Sequence, residues 1–364
     1  MRTNSNLGRS NPLLELHKMS SFTYKQVGYH YCGPLELIER SYDASKLGAD
    51  DILVKVSAAA LNPVDLILYN SSRFFKFFTR TDAGIGRDFS GVIEAVGSSI
   101  TKFQKGDKVS GLFEDTYTQQ GTLSQYLIIN TKKNHNIGTI PKNLTMEEAA
   151  AFPLTFGTAY TTLVHFKKPS ECQNILVIGG ATSVGAFVIQ LLKKVHKVPF
   201  VVSVNSSSSS EKVLRYGADV MVDYTKGSVK SQVLELVKQN GKFDIIVDCV
   251  GSSEFISCMD DVLKPKSEGS GYTSINGTTV GDYHSPMTQY LSWANIKLLL
   301  FPRSFAFVWS YIEDGTWYEY AKGLFEEGVL EVPVDSVHKL ENFKEAIATI
   351  IDHKAQGKVV VSME

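Results

Sequence analysis

A chain of 364 residues is long for one hydrophobic core, so two domains are expected. Apolar residues at 43% and charged residues at 21% are ordinary for a soluble globular protein, and a formal net charge of −1 excludes the basic excess of a nucleic-acid binder. The four cysteines, Cys32, Cys172, Cys249 and Cys258, have no C-x-x-C spacing; they build neither a disulfide framework nor a cysteine-rich zinc loop, and a reducing compartment is expected.

In chain order, residues 1–21 read as a disordered extension. Arg2 and Arg9 with no acid before Glu15 also give it a faint likeness to a mitochondrial targeting segment, and Met19 is an alternative start. The first half then carries β-like runs bounded by Gly, Pro or Asp: Asp51 to Pro63, Asp88 to Gly97 and Lys105 to Phe113. Between them lies "YNSSRFFKFF" (Tyr69 to Phe78), either core packing or an apolar roof over a substrate pocket. Thr145 and Glu148 have capping-box spacing, which predicts a helix start there and an end or kink at Pro153.

From Cys172 strands alternate with helices, the pattern of a parallel sheet covered on both faces. The strands expected are Ile175–Gly179, Pro199–Val204, Val220–Asp223, Phe243–Cys249, Gly271–Ile275 and Ile296–Phe301, with helices from about Val184, Ser209, Val229 and Glu254. The sixth strand would be an apolar edge with only Lys297 to protect it, which predicts a homodimer paired through it. The run Ile296 to Trp309 is broken by Lys297, Pro302 and Arg303 and falls short of the roughly 18 apolar residues of a membrane span, leaving surface adsorption as the alternative. After about Phe305 come a helix near Tyr318–Glu327, a short strand, and an amphipathic helix with Ala346, Ile347, Ile350 and Ile351 on one side.

The stretch "ILVIGGATSVGAFVIQLLKK" (Ile175 to Lys194) has the strand, small-residue turn and helix that cradle a dinucleotide pyrophosphate. Gly180 is expected to supply the tight turn and Gly185 the close packing of helix on strand. Thr182 stands where a second glycine would let the backbone approach phosphate. Thr182 and Ser183 add hydroxyls, and Val184 an amide, at a helix N-terminus that favours anions. About 20 residues past Gly185, where an acid would hold the ribose of NAD, the chain has Asn205. Ser206, Lys212 and Tyr224 are candidates for a 2′-phosphate, although Ser208 and Glu211 also have the spacing of a capping box for the next helix.

Eight segments in order carry a resemblance across about Phe22 to Val361: "AALNPVD", "GRDFSGVIEAVG", "FQKGDKVSG", "AAAFPLTFGTAY", the Gly179–Gly185 turn, "GADVMVDYT", "FDIIVDCVG" and "GKVVV". The chain resembles zinc-independent medium-chain dehydrogenase/reductases of the quinone oxidoreductase type, and within them the fungal Yim-type members. The resemblance implies an α/β fold in which a GroES-like, mostly-β catalytic domain (22–150) is followed by a Rossmann domain with a doubly wound parallel sheet (151–305), and residues 306–364 return to complete the first domain. Zinc-using relatives hold their catalytic metal at three places that here read Asn62, Arg87 and Leu154; guanidinium and isobutyl groups do not ligate zinc, so no metal is expected.

What the resemblance implies about function is direct hydride transfer from NADPH to a small electrophilic molecule, a quinone or α,β-unsaturated carbonyl. Asn62 would donate to the substrate oxygen or the carboxamide, Thr158 would touch the nicotinamide side, and Tyr126 is a proton-donor candidate; Asp65 is either a structural cap or a participant. Val250, Gly251 and Lys358 join the cofactor set. The alternative is an idle dinucleotide-binding protein with a regulatory or organelle-surface role. The location expected is cytoplasmic, with a lipid-droplet surface or the mitochondrion as alternatives.

Overall fold

The structure, a computed structural model, describes residues 21–30, 33–72, 82–115, 118–277, 305–307 and 316–364. The N-terminal extension, most of the phenylalanine run and the strand expected at Ile296–Phe301 lie outside the described residues, and so does the pairing surface expected there.

The catalytic half is built on one long strand. Strands β1 (Phe22–Tyr29) and β2 (Glu36–Tyr42) form a hairpin pair, and β3 (Asp51–Leu61) follows. Ile52, Leu53 and Val54 on β3 are all fully buried, because the strand has apolar neighbours on both faces. It leads into α1 (Pro63–Ser72), then β4 (Ala83–Gly84), β5 (Asp88–Val96), β6 (Lys108–Leu112), β7 (Tyr126–Asn130) and β8 (Ile137–Thr139). The capping box forms as its spacing predicts: Glu148 N–H donates to Thr145 Oγ1 and Thr145 N–H to Glu148 Oε2, starting α2 (Met146–Ala151). Pro153 ends that helix and opens α3 (Pro153–Thr162), where its missing N–H costs nothing.

The nucleotide half alternates as expected: β9 (Asn174–Ile178), α4 (Ser183–Gln190), β10 (Phe200–Asn205), α5 (Ser210–Tyr216), β11 (Val220–Asp223), α6 (Val229–Asn240), β12 (Ile245–Asp248), α7 (Met259–Val262), β13 (Gly271–Ser274) and β14 (Phe305–Phe307). All pairs are parallel, in the order β11-β10-β9-β12-β13-β14, the doubly wound arrangement. Three expectations need correction. Phe305–Phe307 pairs with β13, so the first residues of the return segment, expected to complete the catalytic domain, still belong to this sheet. The helix expected from about Glu254 starts later, as a 3-10 turn at Ile256–Cys258 that leads into α7, while the Glu254 carboxylate accepts the Lys230 N–H in the first turn of α6. Ser208 and Glu211 form no capping box: no side chain caps α5, and the Ser208 hydroxyl pairs with Ser206 Oγ at 2.8 Å.

The chain then runs through α8 (Thr316–Glu326), β15 (Val334–Lys339), α9 (Phe343–Ile351) and β16 (Lys358–Ser362). Strands β15 and β16 join the catalytic sheet, with β16 antiparallel to β3. Helix α8 packs Trp317, Tyr318 and Phe325 against Phe152, Phe156 and Phe187, making one core shared by the two halves. On α9, Phe343, Ala346, Ile347 and Ile350 are buried, and Ile351 is half-buried. Among the described residues, no helix is long and apolar enough to cross a membrane.

Candidate active site and cofactor cleft

Strands β9 and β12 are neighbours, so the turns at their C-terminal ends lie side by side, at the switch point where open sheets of this kind take ligands. The tight turn is at Gly179, with φ of 81°, one residue before the glycine that spacing assigns to it. A side chain on Gly179 would stand 2.5 Å from Val250 Cγ1, which shows how closely the Val250 side chain covers the turn. Gly180 is a packing position instead, against Ser203 Oγ and Ile189, while Gly185 lets α4 rest on the turn: a Cβ there would lie 2.2 Å from Gly179 O.

Thr182 does not offer its hydroxyl to a phosphate. As the N-cap of α4 it accepts the Gly185 N–H at 3.0 Å and donates to Gly179 O at 2.8 Å. Ser183 and Val184 begin the helix, where backbone N–H groups have no partner inside it, and with the helix dipole they suit an anion. The close-packed turn beneath these amides fits a pyrophosphate. The Val250 and Gly251 amides are not available: both donate to Asp248 Oδ1 at 2.9 Å, while Asp248 Oδ2 accepts from Ser252 N–H and the Tyr272 hydroxyl at 2.7 Å. Burial lifts the Asp248 carboxyl to about 6 against those hydrogen bonds.

The ribose side contains a carboxylate that counting along β10 overlooked. Asn205 is buried, accepting from Ser203 Oγ and donating to Ser209 Oγ, and directly beside it in register stands Asp223 of β11. Hydrogen bonds from the Ser207 and Thr225 hydroxyls and the Thr225 N–H hold the Asp223 carboxyl down at about 2, with Lys226 at 3.6 Å. Ser206 is bonded to Ser208, and Tyr224 is 57% exposed. Lys212 turns to Gln356 O at 3.3 Å, while the Gln356 side chain reaches Ser208, so a loop of the catalytic half touches the serine run.

At the catalytic end, β3, β5 and β16 bring together Asn62, Asp88 and Lys358, which are 1%, 0% and 2% exposed. The Lys358 ammonium donates to Asn62 Oδ1 and, at 2.8 Å, to Asp88 Oδ2. Asn62 Nδ2 donates to Asp88 Oδ2 at 2.9 Å and to Ala60 O at 3.3 Å, so both of its N–H groups are engaged. Asn62 is therefore a fixed scaffold residue here, not the free donor expected, and Lys358, expected in the cofactor set, commits its ammonium to this cluster. Asp88 Oδ1 accepts the Leu154 N–H at 2.8 Å, tying α3 to the cluster. The Thr158 hydroxyl is likewise engaged, donating to Leu154 O at 2.7 Å.

Tyr126 lies elsewhere. It pairs with Lys55 on β3 and packs on Phe22 at 4.6 Å and Tyr24 at 6.0 Å, while Asn62 follows the opposite end of β3, about 20 Å of extended strand away. The residue that spacing missed is Asp88; its only signal was a place in "GRDFSG", beside Arg87. The three positions that the resemblance aligns with metal ligands do not fit zinc: an amide locked to an ion pair, Arg87 donating from Nε to Phe113 O, and Leu154. Among the described residues, no three His, Cys, Asp or Glu side chains are grouped to hold a metal.

The sequence matches two family descriptions, "Alcohol dehydrogenase GroES-like domain" over residues 48–154 and "Zinc-binding dehydrogenase" over residues 216–361. Over 334 residues it is 35% identical to "Protein YIM1" of Saccharomyces cerevisiae strain YJM789, covering 86% of this chain and 90% of that protein. It shares its fold with a quinone oxidoreductase from Coxiella burnetii (TM-score 0.74, 23% identity, covering 94% of this chain and 100% of that one). The CurK enoyl reductase is similar too, with a TM-score of 0.73 at 20% identity over 95% of this chain and 100% of that one. With a relative of that identity aligned across most of both proteins, and both halves of the fold matched in order, this chain belongs to the medium-chain dehydrogenase/reductase family, oxidoreductases that work with a nicotinamide dinucleotide.

Proposed function

We propose that the chain reduces a quinone or an α,β-unsaturated carbonyl, using NADPH and no zinc. The observation that carries this reading is the buried Asn62–Asp88–Lys358 cluster. At Asn62, one of the three places the resemblance aligns with metal ligands, this chain builds an ammonium-centred network with Asp88 and Lys358, so its reaction relies on positioning and fixed charge. When bound, the dinucleotide supplies the hydride. The protein's part is to seat the pyrophosphate on the Gly179–Gly185 turn and the Ser183 and Val184 amides, and to keep water from the buried cluster. The fold shared with a quinone oxidoreductase and an enoyl reductase agrees with this substrate class.

The NADPH preference rests on Asn205, which brings no negative charge to the end of β10, on the hydroxyls of the serine run and on Lys212 of α5. Asp223 opposes it, but its charge is taken up by Ser207, Thr225 and Lys226. Titration of the purified protein with NADPH and NADH, followed by turnover with a panel of quinones and enones, tests both parts; equal or tighter NADH binding ends the cofactor preference. One observation favours a second reading as an idle dinucleotide-binding protein: Thr182, Asn62, Thr158 and Asp248 are all engaged by the chain itself. Tight NADPH binding without turnover of any panel member selects it.

A further inference from the structure

Among the described residues, Asp65 Oδ1 is the only buried carboxylate oxygen without a hydrogen-bond partner. Asp65 lies at the start of α1, is 1% exposed, and its other oxygen accepts the Asn62 N–H at 2.8 Å. That bond places it beside the cluster. The charged groups facing it are Lys358 on β16, Asp88 on β5 and Arg87 just before β5, and α1 carries no other charge. Other polar groups of this end are already engaged: both Asn62 Nδ2–H groups, the Thr158 hydroxyl and two of the Lys358 protons have acceptors. Burial pushes the Asp65 carboxyl up to about 7; Asn62 N–H, Lys358 and Arg87 draw it down, and Asp88 raises it. A carboxyl of this kind holds a proton near neutral pH and has two cations nearby to receive the charge it leaves behind.

We propose that Asp65 is the proton donor of the reduction, delivering its proton from Oδ1 to the oxygen of the substrate. This rests on the reductase reading above. Hydride from the bound dinucleotide forms the new C–H bond with its electron pair, and the displaced π electrons settle on the carbonyl oxygen. That oxygen forms an O–H bond as the Asp65 O–H bond breaks, giving an enol; from a quinone this is the keto tautomer of the hydroquinone, which reaches the hydroquinone by losing the carbon-bound proton and gaining one on the second oxygen. The Asp65 carboxylate, facing Lys358 and Arg87, then regains a proton from solvent. The substrate gains two electrons and the dinucleotide loses two.

Asp65→Asn is the decisive variant, because its amide oxygen still accepts the Asn62 N–H while the ionisable proton is gone; Asp65→Ser repeats the test if the amide variant does not fold. The expected result is a fall in kcat of about a hundredfold or more, with KM within about threefold, and the absence from the variant of the alkaline limb near 7 that the Asp65 carboxyl should give the wild-type kcat profile. A kcat within about threefold of wild type with the limb unchanged overturns the proposal. An infrared titration from about pH 5 to about pH 9 separates this from failure of the reductase reading, since it needs no turnover. A protonated-carboxyl C=O band that titrates near neutrality in wild type and is missing from Asp65→Asn supports the assignment even if no panel substrate is reduced, and its absence from wild type overturns it.

Discussion

At the nucleotide end, the Gly179–Gly185 turn keeps its shape through a threonine hydroxyl and two close backbone approaches. At the catalytic end, full charges on Asp88 and Lys358 are locked together at 0% and 2% exposure. The nucleotide turn is partly open to solvent and its bonds are neutral, so each one contributes modestly and can be lost singly. In the cluster, removing one partner strands the other as a buried charge, and the penalty is several times larger. Shape therefore dominates one end of the cleft and electrostatics the other, which ranks the consequences of mutation.

The largest effect is expected from Lys358→Met. Asp88 and Asn62 would lose the ammonium that joins β16 to β3 and β5, and unfolding by denaturant should show a loss of about 3–5 kcal/mol. A loss below about 1 kcal/mol would place the cluster with ordinary surface pairs and erase the contrast.

Next comes the pH dependence carried by Asp65. Its folded-state carboxyl is raised from the ordinary 3.8 to about 7, so between those values the folded chain holds a proton that the unfolded chain releases. Its stabilising contribution is complete below the unfolded value and is lost as pH rises through about 7, on the order of 2–4 kcal/mol in all. Asp65→Asn should therefore gain stability relative to wild type as pH increases across that window, measured by unfolding at a series of pH values. A difference that stays flat shows that Asp65 does not titrate there.

Gly185→Ala sharpens the nucleotide side. The added methyl would meet Gly179 O at 2.2 Å and push the turn off α4, and NADPH affinity by fluorescence titration should fall about tenfold or more, equivalent to about 1.4 kcal/mol. The smallest effects belong to Thr182. Its replacement by Ala should cost about 1 kcal/mol of stability as a lost cap, and by Gly only a few tenths of a kcal/mol. Neither should weaken NADPH binding tenfold, because the hydroxyl already faces Gly179 O and Gly185 N; a larger loss would make Thr182 a phosphate contact.

Most of the fold was legible from local pattern. Apolar runs and their spacing located five of the parallel strands, and Thr145, Glu148 and Pro153 marked a helix boundary by rules that act within a few residues. The loss of metal-ligand chemistry at Asn62, Arg87 and Leu154 was legible as well, since a side chain's donor atoms are a property of the residue alone. What the sequence could not show is which hydrogen-bonding group each polar side chain would choose. Asp88 and Lys358 stand 270 positions apart and meet only because β16 returns beside β3. Asp223 reaches the ribose side from the strand next to Asn205, Lys212 turns to Gln356, and Thr182 caps its own helix. Position along a strand follows from counting. The partner of a buried polar atom follows from competition among every donor and acceptor the folded chain brings within about 3 Å, and that competition exists only in the tertiary structure.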